Sequence, residues 1–165
     1  MSSKETGDAP RIQVASRDDL EALTRLAAAF RDSLERSTPS DEEFRQSIAA
    51  LLRDQATEFF LAVGEDGQGI GYIQQRYRYS AWLSALEAYL EDLFVKPEAR
   101  GHGVGSSLVE FAVARAREKG CRLIGLNTNE QNNAAVALYR HLDFSCERNR
   151  WGEGRQLWFE KSLKT

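Results

Sequence analysis

The sequence predicts an α/β fold, a mixed sheet with helices on both faces, from three observations. Short β-forming runs recur, among them Phe59–Val63, Ile70–Tyr79 and Tyr89–Val95. Stretches with apolar residues three and four apart lie before and after those runs. One strand ends at a glycine-rich turn that opens directly into an amphipathic helix. Strands that precede and follow helices in this way fit a sheet covered on both sides.

Each element has its own signal. Ile12 and Val14 alternate with polar neighbours, so Arg11–Ala15 reads as a first strand. Ser16 then caps a helix that places Leu20, Leu23, Leu26, Ala27 and Phe30 on one face. Ser37-Thr38-Pro39-Ser40 breaks it, and Asp41–Leu52 forms a second helix with Phe44, Ile48, Leu51 and Leu52 inward. Gly64-Glu65-Asp66-Gly67 joins Phe59–Val63 to Ile70–Tyr79 as a hairpin. After Tyr89–Val95 comes a helix over Val104–Lys119 with Gly120 as its stop. Leu123–Asn127 is the next strand and Asn132–His141 the last helix. Phe144–Trp151 and Arg155–Lys161 close the chain as a hairpin across Gly152-Glu153-Gly154.

Length and composition narrow the class. The chain has 165 residues, 42% hydrophobic and 28% charged, which suits one soluble domain over residues 11–165. The polar residues 1–10 are expected to be a mobile tail without a signal-peptide core. A net charge of −3 and no basic stripe argue against nucleic acid as a partner, and no apolar run of membrane length argues against a bilayer. Cys121 and Cys146 read as reduced, small apolar residues, which fits the cytoplasm. Two distant histidines and no C-x-x-C motif give no metal-ligand spacing, so no metal is expected.

The turn after Tyr89–Val95 carries the chemistry. In Leu90–Ser106, LEDLFVKPEARGHGVGS, glycines stand at a helix N-terminus, where unpaired N–H groups and the helix dipole favour phosphate oxygens. Gly103 and Gly105 lack a Cβ, so an anion can approach the main chain. The P-loop is excluded because no Lys-Ser or Lys-Thr follows, and the dinucleotide fingerprint because the spacing is G-x-G-x-G. The spacing from Arg100 to Gly105, Arg-x-x-Gly-x-Gly, resembles the acetyl-CoA signature of the GNAT N-acetyltransferase superfamily. A second segment, Asn132–Phe144, is similar to that family's N-x-x-A-x-x-L-Y-x-x-x-G-F helix. It departs at Asp143, where the family has glycine; aspartate tolerates the left-handed conformation well enough to keep the helix stop.

The resemblance implies a GNAT fold: a central mixed, mostly antiparallel sheet of six to seven strands, the fourth and fifth splayed apart, flanked by about four helices. It implies acetyl-CoA as co-substrate. Main chain at Leu93, Phe94 and Val95 would pair with the pantetheine arm, and the turn Arg100, Gly101, His102, Gly103, Val104, Gly105 and Ser106 would hold the pyrophosphate. Asn132 and Tyr139 would join the cofactor set. The implied chemistry is direct attack of an amine on the thioester, an oxyanion donor near Val95, and Tyr139 as the acid that protonates the leaving thiolate. The alternative for Tyr139 is a half-buried aromatic bonded to a carbonyl.

The base is the open question. Strand alternation would put Glu91 and Asp92 on opposite faces, so that only one enters the gap. The run L-E-D-x-F-V is similar to polyamine acetyltransferases, which singles out Glu91 as the base; a structural carboxylate, or one that only attracts a cation, fits equally. Glu87 would add negative charge nearby. His102 reads as a solvent-facing imidazole beside phosphate and His141 as a surface residue. Tyr77, Tyr79 and Trp82 suit an acceptor pocket, a contact with another subunit or core packing, and Trp151 and Trp158 suit packing or a dimer surface. The expected activity is transfer of an acetyl group to a primary amine, a small cationic molecule being favoured, by a possible homodimer. The alternatives are an acetyltransferase of protein N-termini or lysines, and a non-catalytic acyl-CoA sensor or partner-binding module.

Overall fold

The computed structural model describes residues 10–147, 152 and 157–163. The chain divides into two compact units, Met1–Asn129 and Glu130–Thr165. The large unit holds five strands in the spatial order of the sequence, β1 (Arg11–Val14), β2 (Thr57–Val63), β3 (Gly69–Ser80), β4 (Ala85–Val95) and β5 (Leu123–Gly125). β1 to β4 are antiparallel neighbours, and β5 runs parallel to β4. The helices of this unit are α1 (Leu20–Ser33), α2 (Asp41–Leu51) and α3 (Val104–Glu118); α4 (Asn133–His141) belongs to the small unit.

Strand alternation in β2 sets up the two faces. Phe59, Leu61 and Val63 join Tyr72 and Phe94 against Leu23, Leu26 and Ala27 of α1 and Ile48 of α2. Phe60 and Ala62 point the other way, where Phe60 meets Phe111 of α3 edge-on at 5.2 Å, and Leu108, Val109 and Ala112 are fully buried. Burying both faces explains why β2 is an apolar run rather than a clean alternation.

Local signals end the elements. Ser40 and Glu43 form a reciprocal capping box on α2, and Ser16 with Asp19 forms one on a short 3-10 turn that leads into α1. α3 stops at Gly120, φ +77°, with Cys121 N–H donating to Ala116 and Gly120 N–H to Arg117. That pair of bonds is a Schellman stop. α4 ends the same way on Asp143, φ +64°, with Phe144 N–H donating to Tyr139 and Asp143 N–H to Arg140. α1 uses Glu35, φ +55°, in the equivalent place.

Under α3 lies a half-buried charge network. The Glu58 carboxylate accepts from Arg115 at 2.8 Å and from the Tyr77 hydroxyl at 2.6 Å, with Lys119 Nζ at 3.3 Å. Burial pushes the Glu58 carboxyl up, but Arg115, Tyr77 and Lys119 outweigh it and hold the group below the usual carboxylate range. Gln75, fully buried, donates to the Tyr77 hydroxyl and to the Ala112 carbonyl.

Several expectations are corrected. The sheet has five strands among the described residues, not six to seven. Of the expected last hairpin, residues 148–151 and 153–156 lie outside the described residues. The described flanks, 144–147 and 157–161, carry no strand, and Leu157, Trp158 and Phe159 are exposed. Alternation there signals a strand only if a partner supplies a half-buried surface, and no described residue pairs with it. β4 begins at Ala85 rather than Tyr89, because the β3 ladder extends to Ser80↔Ala85. β5 ends at Gly125 rather than Asn127, because its pairing with β4 ends there. Of the expected tail, residues 1–10, residues 1–9 lie outside the described residues, and both cysteines are free thiols.

Candidate active site

The last pair between β4 and β5 is Tyr89↔Gly125, yet β4 continues to Val95. Beyond Tyr89 the β5-side edge of β4 therefore has no strand beside it among the described residues, which is the expected splay. Which main-chain groups face that edge follows from alternation. Lys96 N–H donates to Ile70 in β3, so the N–H groups of Leu93 and Val95 point away from β3. The Val95 carbonyl agrees with this direction, since it accepts from Arg100 Nε at 2.9 Å. An extended ligand laid along this edge would meet Leu93 and Val95 as an added strand would.

Pro97 opens a short 3-10 turn after β4, and the chain then passes through Gly101 (φ +77°) and Gly103 (φ +79°) into α3. A Cβ at either glycine would meet nothing within 4 Å, so backbone conformation and not crowding demands glycine there. The first helical bond of α3 runs from Ser107 N–H to Gly103, and no side chain caps the end. The N–H groups of Val104, Gly105 and Ser106 thus have no helical acceptor and lie at the positive end of the dipole. Val104 is buried and fixes the end of the helix on the sheet, while His102 and Arg100 are exposed. Arg100 folds back so that its guanidinium lies 5.9 Å from the Phe94 ring, tying the turn to the end of β4.

The carboxylates are arranged differently from the sequence expectation. Paired residues share a face, and on β4 the pairs are Leu90↔Gln75 and Asp92↔Gln74. Glu91 is the extra residue of a β-bulge. Ala88 packs with Tyr77 and Ala116 on the α3 side, which puts Tyr89 on the α1 side. Asp92 lies two residues before Phe94, whose ring stacks on Phe30 of α1 at 5.3 Å, so it too is on the α1 side. Glu91 lies 3.9 Å from Arg76, the partner of Tyr89, on that same side. The bulge brings Glu91 and Asp92 to one face, where unbroken alternation would separate them.

Burial sorts the pair. Glu91 is exposed, whereas Asp92 is half-buried beside the buried Tyr72. Burial, and then the charge of Glu91, raises the Asp92 carboxyl above the usual aspartate range. Burial raises the Tyr72 phenol as well, with Asp92 adding to it. Tyr89, raised by burial and by Glu91, bonds the Asn127 backbone where β4 and β5 part. Glu87 is buried and paired with Arg78, so its charge is largely compensated.

In the small unit, Asn132 caps α4 by accepting from Ala135 N–H at 3.2 Å. Tyr139 is half-buried, its ring 5.7 Å from Phe144, and burial raises its phenol above the ordinary range. Tyr79 and Trp82, at the far end of the β3–β4 hairpin, are 69% and 79% exposed and so are not core residues. His141 is exposed, Trp158 is 83% exposed, and Trp151 lies outside the described residues.

The sequence offers Asp92 only as the carboxylate facing away from Glu91 and gives no sign of Tyr72, although the shared face of the pair has a signal. Glu91 and Asp92 stand together between Leu90 and Leu93, which breaks the period of two as a bulge does. Among the described residues, no group of three His, Cys, Asp or Glu side chains could hold a metal ion, and no helix is long and apolar enough to cross a membrane.

Known proteins resemble this chain in sequence and in fold. Thialysine N-epsilon-acetyltransferase of Bos taurus is 38% identical over 73 residues, 44% of this chain and 42% of that protein. The chain thus matches less than half the length of that relative. Aminoglycoside N(6')-acetyltransferase type 1 of Stenotrophomonas maltophilia is 29% identical over 140 residues, 82% of this chain and 86% of that protein. A solved structure of a probable acetyltransferase superposes with a TM-score of 0.80 at 22% identity, covering 92% of this chain and 99% of that one, which shows a shared fold. The pattern of the acetyltransferase (GNAT) family matches residues 20–144, from α1 through the glycine turn to the end of α4, and the chain belongs to that family.

Proposed function

We propose that this protein is an N-acetyltransferase that moves an acetyl group from acetyl-CoA to the primary amine of a small cationic molecule, both substrates being bound together. The observation that carries the reading is the end of β4. There an open main-chain edge at Leu93 and Val95, an anion-ready turn at Gly101–Ser106 and a carboxylate pair at Glu91 and Asp92 follow one another within 16 residues, Glu91 to Ser106. The donors suit the cofactor's chemistry. An extended amide-bearing arm needs a strand edge, and a pyrophosphate needs unpaired N–H groups at a helix N-terminus. The names of the bovine and Stenotrophomonas relatives describe acetylation of thialysine and of aminoglycosides, both amines, and support the acceptor class.

Each step falls to a residue of this chain. Leu93 and Val95 align the pantetheine arm, and the amides of Val104, Gly105 and Ser106 neutralise phosphate charge. The Val95 N–H stabilises negative charge that develops on the acetyl oxygen. Glu91, the exposed member of the pair, meets the incoming ammonium, and the carboxylates strip its proton so that the nitrogen can attack. Tyr139, by its place in the second motif, protonates the departing sulfur; burial keeps its phenol protonated at neutral pH. A protein lysine is the second acceptor reading, favoured by a peptidyl-lysine N-acetyltransferase of Escherichia coli that is 34% identical over 104 residues.

Thermal unfolding with acetyl-CoA, and with ATP and NAD as controls, tests the cofactor. At 100 times its Kd, acetyl-CoA adds ~2.7 kcal/mol, a rise of roughly 5–10 °C at about 2–4 °C per kcal/mol. An equal rise with ATP refutes the assignment. Thiol release that depends on a primary amine, followed across diamines, aminoglycosides and lysine peptides, tests the transfer.

A further inference from the structure

We propose that Asp92, not Glu91, is the group that accepts the proton of the attacking ammonium, with Glu91 as the outer carboxylate that draws the cation in. The inference rests on the acetyl-transfer reading and deepens it. Its ground is the bulge. In an unbroken strand the two carboxylates would face apart; here the extra residue leaves both on the α1 side of β4, at the point where the β5-side edge opens. One is exposed and beside Arg76, the other half-buried against Tyr72. A cation approaching from solvent meets Glu91 first and Asp92 behind it.

The surroundings fit a proton acceptor. The groups that face Asp92 are Glu91 on its own strand, Tyr72 and Gln74 on β3, and beyond Glu91 the guanidinium of Arg76. On α1 the side chain over this part of β4 is Phe30, which is apolar; Arg31 beside it is held by Asp32, Asp41 and the Pro39 carbonyl. Asp92 therefore has no cation against it to stabilise its charge among the described residues, and it sits beside another carboxylate. Both conditions raise its affinity for a proton, which moves an aspartate toward the range where a base works at neutral pH.

The proton count closes. Asp92 takes one proton from the ammonium nitrogen, leaving a neutral amine whose lone pair forms the N–C bond as the C–S bond breaks. The sulfur takes a proton from Tyr139, and the second nitrogen proton passes to solvent, which restores the phenol. Asp92 returns its proton to solvent by way of Glu91. One proton is released per turnover, as transfer from a thioester to an ammonium requires.

The test compares pH–rate profiles of the wild type, Asp92→Asn and Glu91→Gln with a diamine acceptor. Asp92→Asn should lower kcat/KM by about 10²–10⁴-fold, the contribution of a positioned base, and abolish the acidic limb. Glu91→Gln should raise KM and move the limb to lower pH, because a neighbouring charge is gone. A limb that persists in Asp92→Asn and vanishes in Glu91→Gln would overturn the assignment. A second readout needs no turnover: carboxyl ¹³C titration of aspartate-labelled protein, with Asp92→Asn identifying the resonance. Asp92 should titrate above the ordinary aspartate range and drop in Glu91→Gln, and an ordinary, unmoved value overturns the proposal. If no amine elicits thiol release from the wild type, the acetyl-transfer reading itself fails and this role with it; normal release with an unaffected Asp92→Asn enzyme removes only the Asp92 role.

Discussion

Gly103 and Gly120 stand at the two ends of α3 with nearly the same backbone, φ +79° and +77°. A Cβ at either would meet nothing within 4 Å. Alanine at either position thus brings the strain of a left-handed residue, about 1–2 kcal/mol, without a clash. Both variants should lose roughly 2–8 °C in Tm, at ~2–4 °C per kcal/mol. They differ in what lies outside. At Gly103 the added methyl adjoins the unpaired amides of Val104–Ser106, where the proposed function puts the pyrophosphate. A lost charge-assisted bond there costs about 1.5–3 kcal/mol, so Kd for CoA should rise ~10–150-fold at 1.4 kcal/mol per decade. Gly120→Ala should leave Kd unchanged. Calorimetric titration with CoA measures both, and differential scanning gives the matched Tm losses. If Gly103→Ala binds CoA like the wild type, or if both variants lose affinity equally, the turn is not the phosphate site.

Three further outcomes follow from the same geometry. Tyr139→Phe should lower turnover by about 10²-fold or more while acetyl-CoA affinity from calorimetry stays unchanged; a parallel loss of affinity would assign Tyr139 to binding rather than proton transfer. Glu58→Gln should cost about 2 kcal/mol in urea unfolding at pH 7, below the usual range for a broken buried pair because Arg115 and Lys119 are about one-third exposed. Its folded-state pKa lies below the unfolded value of ~4.3, so the stabilisation is present above that pH and lost as pH falls through the folded value. A difference that persists undiminished at pH 3 would contradict it. Glu35→Gly and Asp143→Gly should each raise stability by about 1 kcal/mol, because both positions have φ near +60° at a Schellman stop; unchanged denaturation midpoints would show that neither side chain is strained.

What depends on a few neighbouring residues was legible before any fold was known. The box of Ser40 and Glu43, the cap at Asn132, the left-handed stop at Asp143 and the glycine turn before α3 are contacts between residues at most five apart, so their chemistry can be read along the chain. β2 was legible as a strand but not as two faces, since a run that is apolar on both sides marks neither. Pairing and packing between distant segments set the rest. Whether Glu91 and Asp92 face apart or together depends on where Gln74 and Gln75 of β3 pair with them, and a one-residue slip in that ladder changes the face. The length of β4 depends on how far β3 runs beside it, and the Glu58 network joins β2, β3 and α3 across gaps of 19 and 57 residues. Burial separates an exposed Glu91 from a half-buried Asp92, and burial is set by what packs above a strand, which no strand encodes alone.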